Sequence, residues 1–447
     1  MIRFTKISKI QNLGNLLNHI CRFKAIQMEI SKEVQDFIQE NVLERFLRYI
    51  PVDTTSSDET GTHPSTPEQL ELGRMLKEEL LELGLENVIH DEYGYVYADL
   101  PASQGYENAP SISFLAHIDT SQAASGKNVK YQIHKNYDGS DITFPNDDKL
   151  TISVKDSPEL LEMIGLDIVT ASGDTLLGAD DKAGIAEIMT AATVWKKYPE
   201  LKHGHIVICF TPDEEIGEGT LKIDMEKMNQ LKCGYTLDGG VMGELETECF
   251  DAWLAEIEFI GLSVHPGYAK NKMINAINIA ARFFSQIPEF ETSERTEKRE
   301  GFYHLYNLKG VAEKAEAKMI LRDFKEEENK RRMEYLQSLK NTFENLYRGL
   351  EIKLKFTHSY ENMIKFLESY PEVVEKAEKA IIEAGLEVNR SFIRGGTDGA
   401  RLSAKGLPTP NLFAGGMLLH SRKEYIPTKA MQKATEVILL LANYWTK

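Results

Sequence analysis

The stretch FTPDEEIGEG, Phe210–Gly219, places two glutamates side by side directly after the apolar run HIVICF. Like charges in contact raise each other's pKa, and burial adds to that cost. Such a pair usually belongs to a solvated turn, because Glu is rarely buried without a partner. The apolar run before it is typical of a buried strand. Whether Glu214 and Glu215 belong to a functional site therefore depends on which residues lie at the ends of the other predicted strands.

Strands and helices alternate on both sides of this stretch. SISFLAHIDT, residues 111–120, has the composition of another buried strand, and GIAEIMTAATVWKKYP, residues 184–199, has the apolar period of a helix. This alternation predicts an α/β domain with a mixed, mostly parallel sheet and flanking helices.

The pattern changes near Cys249. Strand-like and helical runs then follow in the order β-α-β-β-α-β up to about residue 360, which is typical of a ferredoxin-like unit. Because 447 residues are too many for one ordinary core, we expect two domains. The prediction is a catalytic domain in two parts, 28–248 and 361–447, with an inserted lid and dimerisation domain at 249–360.

Composition narrows the class of protein. The formal net charge of −17 argues against nucleic acid as a partner, since phosphate binding needs a basic surface. The four cysteines have no C-x-x-C spacing, so a disulfide framework is not expected and a reducing, cytoplasmic location fits. No apolar run approaches the roughly 20 residues of a membrane span, so no membrane association is expected.

The first 27 residues differ from the rest, with five basic residues and no acidic one. This is one mark of an organelle transit peptide. The other interpretation, which we favour, is a start codon assigned too far upstream, because Met28 begins a plausible first helix.

Four further stretches place a metal-ligand residue type at or near a predicted strand end. They are LAHIDTS with His117 and Asp119, LLGADDKAGI with Asp180 and Asp181, CGYTLDGG with Asp238, and NLFAGGMLLHSRKEY with His420. Each has an ordinary explanation: a chance His-x-Asp, an acidic helix start, an Asp-Gly turn or a structural histidine. Sites in α/β sheets, however, gather at the carboxyl ends of strands.

Taken together with Glu215, these stretches supply His, Asp, Glu, Asp and His in chain order, a complete nitrogen and oxygen ligand set for two divalent ions. Asp119 lies two residues after His117, so on a strand the two face the same side, and a metal-binding histidine usually gives its other ring N–H to a carboxylate. Without metal the carboxylates would repel one another, so we expect a less stable metal-free protein.

The chain resembles the di-zinc metallopeptidase family that includes tripeptide aminopeptidases and succinyl-diaminopimelate desuccinylase. The resemblance runs from about Met28 to the C-terminus. Within the family, the sequence resembles the tripeptide aminopeptidases most. The motifs that carry it, in the family's order, are AHIDTS, LLGADDKAG, FTPDEEIG, LDGG, HPG, RGGTDGARLS and FAGGMLLHSRKEY.

The resemblance implies a function for each site residue. His117 and Asp238 would hold one zinc, Glu215 and His420 the other, and Asp180 would bridge them, because the family pattern is Asp-x-Lys. The cofactor implied is two Zn²⁺ per subunit, with Co²⁺ or Mn²⁺ as alternatives. Asp119 would act as the carboxylate partner of His117.

The implied reaction is the release of the N-terminal residue from small peptides, chiefly tripeptides. The metals would lower the pKa of a bound water towards neutrality, and Glu214, as general base, would take its proton and pass it to the leaving amine. Two neighbouring glutamates point to opposite faces of a regular strand, so both can serve one site only at an irregular strand end.

Three more residues follow from the resemblance as substrate-binding groups. His265 in HPG would reach the site of the partner subunit in a homodimer and stabilise the oxyanion. Arg322 and Arg394 are cations suited to a peptide carboxylate, although a structural salt bridge is the alternative for both.

Two other functions remain open on sequence alone. A deacylase or carboxypeptidase of the same family would share the hydrolytic centre but accept a blocked amine. A non-catalytic scaffold is disfavoured, because every ligand type, Asp119 and Glu214 are present. The acidic stretch at 136–166 corresponds to a β-rich loop near the site in the family.

Overall fold

The computed structural model describes Met28 and residues 30–447. The basic segment 1–27 lies outside these residues, so the two interpretations of it stay open. The α-helices, numbered along the chain, are α1 Lys32–Tyr49, α2 Gln69–Glu82, α3 Ala179–Lys197, α4 Met225–Met228, α5 Ala276–Phe284, α6 Glu326–Leu346, α7 Ile364–Leu367, α8 Pro371–Glu383, α9 Asp398–Ala404 and α10 Thr428–Tyr444.

The larger sheet has eight strands in the order β1-β2-β8-β3-β9-β16-β10-β15. These strands are β1 Glu86–His90, β2 Val96–Leu100, β3 Ile112–His117, β8 Ile206–Thr211, β9 Cys233–Gly239, β10 Glu244–Cys249, β15 Asn389–Ile393 and β16 Asn411–Phe413. Pairing is parallel for β8–β3, β3–β9, β9–β16 and β10–β15, and antiparallel elsewhere. The predicted mixed, mostly parallel sheet is confirmed.

The central strands are apolar throughout because both faces of the sheet are covered. Every residue of β3 and β8 is buried. Helices α1, α3, α8 and α10 share one hydrophobic core with one face. On the other face a smaller core includes Met228 of α4 and Leu402 of α9. Continuous apolar strands of this kind are typical of a sheet buried on both sides.

The second domain is a four-stranded antiparallel sheet in the order β12-β13-β11-β14. Its strands are β11 Asp251–Ile260, β12 Phe302–Gly310, β13 Lys314–Asp323 and β14 Glu351–Tyr360. Helices α5 and α6 share its core. Chain order and strand order together are those of the predicted ferredoxin-like unit. The fold is thus an α/β catalytic domain with an inserted lid domain; the domain limits themselves stay a prediction.

The acidic stretch forms a small β-structure beside the main sheet. Its own strands, β5 Ile142–Phe144 and β6 Asp147–Ile152, pair with each other. A three-stranded sheet of β4 Tyr131–His134, β7 Ile168–Ala171 and β17 Tyr425–Pro427 flanks the stretch. Arg422 contacts Asp147 at 3.0 Å and Lys423 contacts Asp156 at 3.3 Å, so this structure is fastened to the loop that follows His420. Within the described residues, no helix has the length and apolarity needed to cross a bilayer.

Candidate metal centre and active site

The carboxyl ends of the parallel strands β3, β8 and β9 meet at one edge of the sheet, and the expected ligands gather there. His117 is the last residue of β3 and Asp238 lies near the end of β9. Glu215 follows β8 in the turn that the opening stretch encodes, and Asp180 begins α3. Strands that run in the same direction bring their ends together, as the sequence predicts.

Two groups of three ligand-type residues result, and they share one member. His117, Asp180 and Asp238 form the first, and Asp180, Glu215 and His420 form the second, with the ligand atoms of each group within 4.8 Å of one another. His117 Nε2 lies 2.8 Å from Asp180 Oδ1, and His420 Nε2 lies 3.0 Å from Asp180 Oδ2. The two oxygens of Asp180 therefore face different groups.

The side chain of Asp119 holds the turn that carries Glu214 and Glu215. Its carboxylate accepts the backbone N–H of Glu214 at 2.9 Å and that of Glu215 at 3.1 Å. His117 Nδ1 lies 3.0 Å from the backbone oxygen of Asp119 and 3.4 Å from its carboxylate. Since β3 ends at His117, strand alternation does not extend to Asp119, and its side chain serves the glutamate turn as well as the histidine.

Asp213 is a residue of this turn whose importance the sequence did not reveal. It has a left-handed backbone, φ +58°, and is fully buried. Its carboxylate accepts the N–H and hydroxyl of Ser65 and Nε2 of Gln69, and Nδ1 of His63 lies 3.0 Å away. A strained backbone persists only where its surroundings hold it, and here the segment 63–69 does so.

The pKa values of the site residues are shifted because several carboxylates lie close together in a buried site. Burial raises the pKa of Glu215 to about 7 and raises the pKa of Asp238. Burial, together with the charge of Asp238, also raises the pKa of Glu214 well above its ordinary value. Hydrogen bonds to Asp180 and Glu215 raise the pKa of His420 to about 11. These shifts favour the uptake of protons, which would offset part of the negative charge gathered in the metal-free site.

This arrangement fits a pair of divalent cations. One oxygen of Glu215, Oε1, is buried and has no hydrogen-bond partner among the described residues. Buried carboxylate oxygens normally have a hydrogen-bond partner. A buried oxygen without one, surrounded by imidazole and carboxylate groups that point to the same place, is what is expected of a metal ligand when no ion is present. The residues present form candidate metal-binding groups.

Comparison with known proteins agrees with this chemistry. The family model described as "Peptidase family M20/M25/M40" matches residues 177–444. A protein named peptidase T, from Listeria monocytogenes, is 47% identical over 406 residues, which are 91% of this chain and 98% of the relative. The chain belongs to this peptidase family.

Solved structures of the family share the fold. The aminopeptidase PepT of Bacillus cereus has a TM-score of 0.71 at 23% identity, covering 92% of this chain and 99% of that one. A tripeptidase of Staphylococcus aureus has a TM-score of 0.71 at 22% identity, covering 91% and 98%. These structures show the shared fold, while the family model and the 47% identical relative confirm the family expected from the sequence motifs.

The expected substrate-binding residues of this family member lie in different surroundings. His265 is exposed; within the chain its ring accepts the N–H of Gly267 and contacts Tyr268. Arg394 donates to the backbone oxygens of Lys298 and Glu300 and lies over the ring of Phe250. The guanidinium of Arg394 thus joins the lid to the second part of the catalytic domain through carbonyl oxygens and a ring, and its predicted binding of a peptide carboxylate stays a prediction.

Arg322 instead has a companion that the sequence did not single out. Arg322 of β13 and Arg401 of α9 lie over the same ring, that of Tyr360, at 5.3 and 5.4 Å from its centroid. Each guanidinium donates to backbone carbonyls, and neither has a carboxylate within salt-bridge distance among the described residues. Arg401 also lies against Gly217, two residues after Glu215. RGGTDGARLS contains both Arg394 and Arg401, and which of the two lies beside Arg322 depends on the fold.

Proposed function

We propose that the chain is a metal-dependent aminopeptidase that removes the N-terminal residue from tripeptides. The observation that carries the proposal is the pair of ligand groups sharing Asp180, with Glu214 beside them on a turn that Asp119 holds. The 47% identity to a peptidase T over most of the chain supports the choice of substrate class. The tripeptidase and aminopeptidase of the same fold support it further.

We assign His117 and Asp238 to one ion and Glu215 and His420 to the other, with Asp180 shared. Zn²⁺ suits two imidazoles and three carboxylates, and Co²⁺ or Mn²⁺ would suit them as well. The ions, when bound, would supply Lewis-acid activation of the attacking water and of the scissile carbonyl. The following steps concern the chain's own residues.

Glu214 acts as the general base in this proposal. Its carboxylate takes a proton from the attacking water and later gives it to the leaving amine. In the metal-free site, burial and the charge of Asp238 hold the pKa of Glu214 well above its ordinary value, which favours its protonated form. Cations bound beside it favour the ionised form, which is the form that accepts a proton. The base is thus available when the centre is loaded.

Peptide binding is assigned to the two arginines over Tyr360. Arg guanidinium groups bind carboxylates through two parallel hydrogen bonds, and among the described residues Arg322 and Arg401 donate to backbone carbonyls but have no carboxylate partner. They come from the lid and from the catalytic domain, so a C-terminal carboxylate between them would join the two domains. Because Arg401 lies against the turn of the glutamates, the carboxylate would be held a short peptide away from the site of cleavage.

We further propose a cytoplasmic homodimer in which the lid, 249–360, carries His265 to the site of the partner. Among the described residues the exposed ring of His265 contacts its own loop alone, which supports an intermolecular use of this histidine. Cys209, Cys233 and Cys249 are buried free thiols, which suits a reducing compartment.

The test is hydrolysis of three matched peptides by the zinc-loaded protein: a free tripeptide, its N-acetylated form and its C-terminal amide. The proposal predicts release of the N-terminal residue from the free tripeptide, no cleavage of the acetylated form and a raised KM for the amide. Cleavage of the acetylated form would instead indicate a deacylase or carboxypeptidase with the same centre. Inactivity towards all three would contradict the proposed function.

A further inference from the structure

The carboxylate of Glu424 is the best-bonded acidic group near the proposed centre that has no assigned function. It is 1% exposed. Its Oε2 accepts the N–H groups of Leu177 and Gly178, both at 2.8 Å, and its Oε1 accepts the N–H of Asp180 at 3.0 Å. One side chain thereby satisfies three backbone donors just ahead of a helix, where donors have no partner within the helix.

The backbone at Asp180 needs such support. Asp180 has φ −84° and ψ 104°, and Asp181 has φ −123° and ψ 35°, so neither residue is helical. The regular hydrogen bonds of α3 therefore do not fix the residue that both ligand groups share. Glu424 does so from outside the helix, across 244 positions of sequence.

Glu424 also belongs to the loop that presents His420. Met417 and Tyr425 exchange two backbone hydrogen bonds at 2.9 and 3.0 Å, which close a tight loop around residues 418–424. Inside it, the hydroxyl of Ser421 donates to the oxygen of Leu418 and accepts the N–H of Lys423. His420 has a left-handed backbone, φ +57°, and its side chain is 49% exposed. A displaced loop would move this histidine.

We propose that Glu424 is a positioning residue that locks the shared ligand Asp180 to the loop of His420, and so sets the affinity of the second ligand group. The inference rests on the proposed metal centre. The first group is less dependent on Glu424, because His117 and Asp238 come from paired strands of the central sheet. The second group combines Asp180 with His420, and Glu424 contacts the backbone of one and shares the loop of the other.

The test is zinc binding by competition with a chromogenic chelator, using the full chain freed of metal. Glu424→Gln keeps the shape of the side chain but turns an amide donor towards the backbone N–H groups. We expect the zinc of the second group to bind about 10–100-fold more weakly, the range seen for partners of metal ligands, and the zinc of the first group to be weakened less. The matched control is Glu436→Gln, since Glu436 is 2% exposed and bonded to Gln432 and Lys433 within α10.

The controls separate a positioning role from general damage. Both variants are expected to lower the melting temperature, but only Glu424→Gln should lower zinc affinity. If Glu424→Gln does not fold, Ser421→Ala loosens the same loop while leaving the hydrogen bonds of Glu424 in place, and it should weaken the zinc of the second group to a smaller degree. Unchanged affinity for both ions in the folded variant, or equal weakening in the control, would overturn the inference. Failure of the unaltered protein to bind two ions would overturn the metal centre itself.

Discussion

Replacing Asp213 by Asn tests whether the turn of the glutamates is held by the hydrogen bonds of one buried carboxylate. Asn tolerates the left-handed backbone at this position, so the change leaves φ +58° accessible and alters only the bonding. The amide keeps one oxygen but places an NH₂ group where the other oxygen accepted donors.

The hydrogen bonds of Asp213 determine how much stability the substitution should remove. If the NH₂ group replaces Oδ2, it faces the N–H of Ser65, which donates at 2.7 Å; if it replaces Oδ1, it faces Nε2 of Gln69, which donates at 2.6 Å. The hydroxyl of Ser65 can turn to become an acceptor, so one lost bond is the minimum. A hydrogen bond to a charged group contributes about 1.5–3 kcal/mol, and an orphaned buried donor costs about 1–3 kcal/mol. The expected loss in the free energy of unfolding is about 2–4 kcal/mol.

The assay is urea unfolding followed by tryptophan fluorescence. Asp36→Asn is the control, because the side chain of Asp36 is 55% exposed and its ion pair with Lys32 lies on the surface of α1. That change should stay within about 0.5 kcal/mol. A loss for Asp213→Asn no larger than the control would refute the view that Asp213 holds the turn.

Three further predictions concern charge, substrate and metal. Burial raises the pKa of Asp398 to about 6 from 3.8, so between these pH values the folded protein keeps a proton that the unfolded chain has lost, and stability falls as pH rises. Between pH 4 and pH 6 the stability of Asp398→Asn should therefore rise relative to that of the unaltered protein by about 2 kcal/mol, a difference that unfolding at several pH values checks. Arg401→Ala should raise KM about 10–100-fold for a free tripeptide and little for its C-terminal amide, in steady-state assays. Removal of metal by a chelator should lower the melting temperature, and zinc should restore it, because ions bound at 100 times their dissociation constant contribute about 2.7 kcal/mol each.

Features carried by long apolar runs could be predicted from the sequence. β3 and β8 are buried on both faces, so their composition alone indicates central strands, and the polar residues after them mark the edge where a site forms. The five expected ligands lie together at this edge. Each motif alone is weak evidence for a metal site. The motifs predict one together because they all lie at or near strand ends.

The supporting residues could not be predicted in the same way. Glu424, Asp213 and Arg401 act through contacts with segments far away in sequence, and no periodic pattern encodes such contacts. The sequence predicts Asp119 beside His117, and its carboxylate lies 3.4 Å from Nδ1 of that histidine. The hydrogen bonds that this carboxylate accepts from Glu214, 95 positions away, and from Glu215 are not encoded by any local pattern.

The assignment of Glu214 as the base over a two-ion centre is tested most directly by Glu214→Gln, with zinc content and turnover of a free tripeptide measured on the same sample. Gln keeps the size of the side chain but cannot accept the proton of the attacking water. The account predicts two zinc ions per chain, as in the unaltered protein, and a kcat about 10²–10⁴-fold lower. Turnover within a few-fold of the unaltered protein, with both ions present, would contradict it.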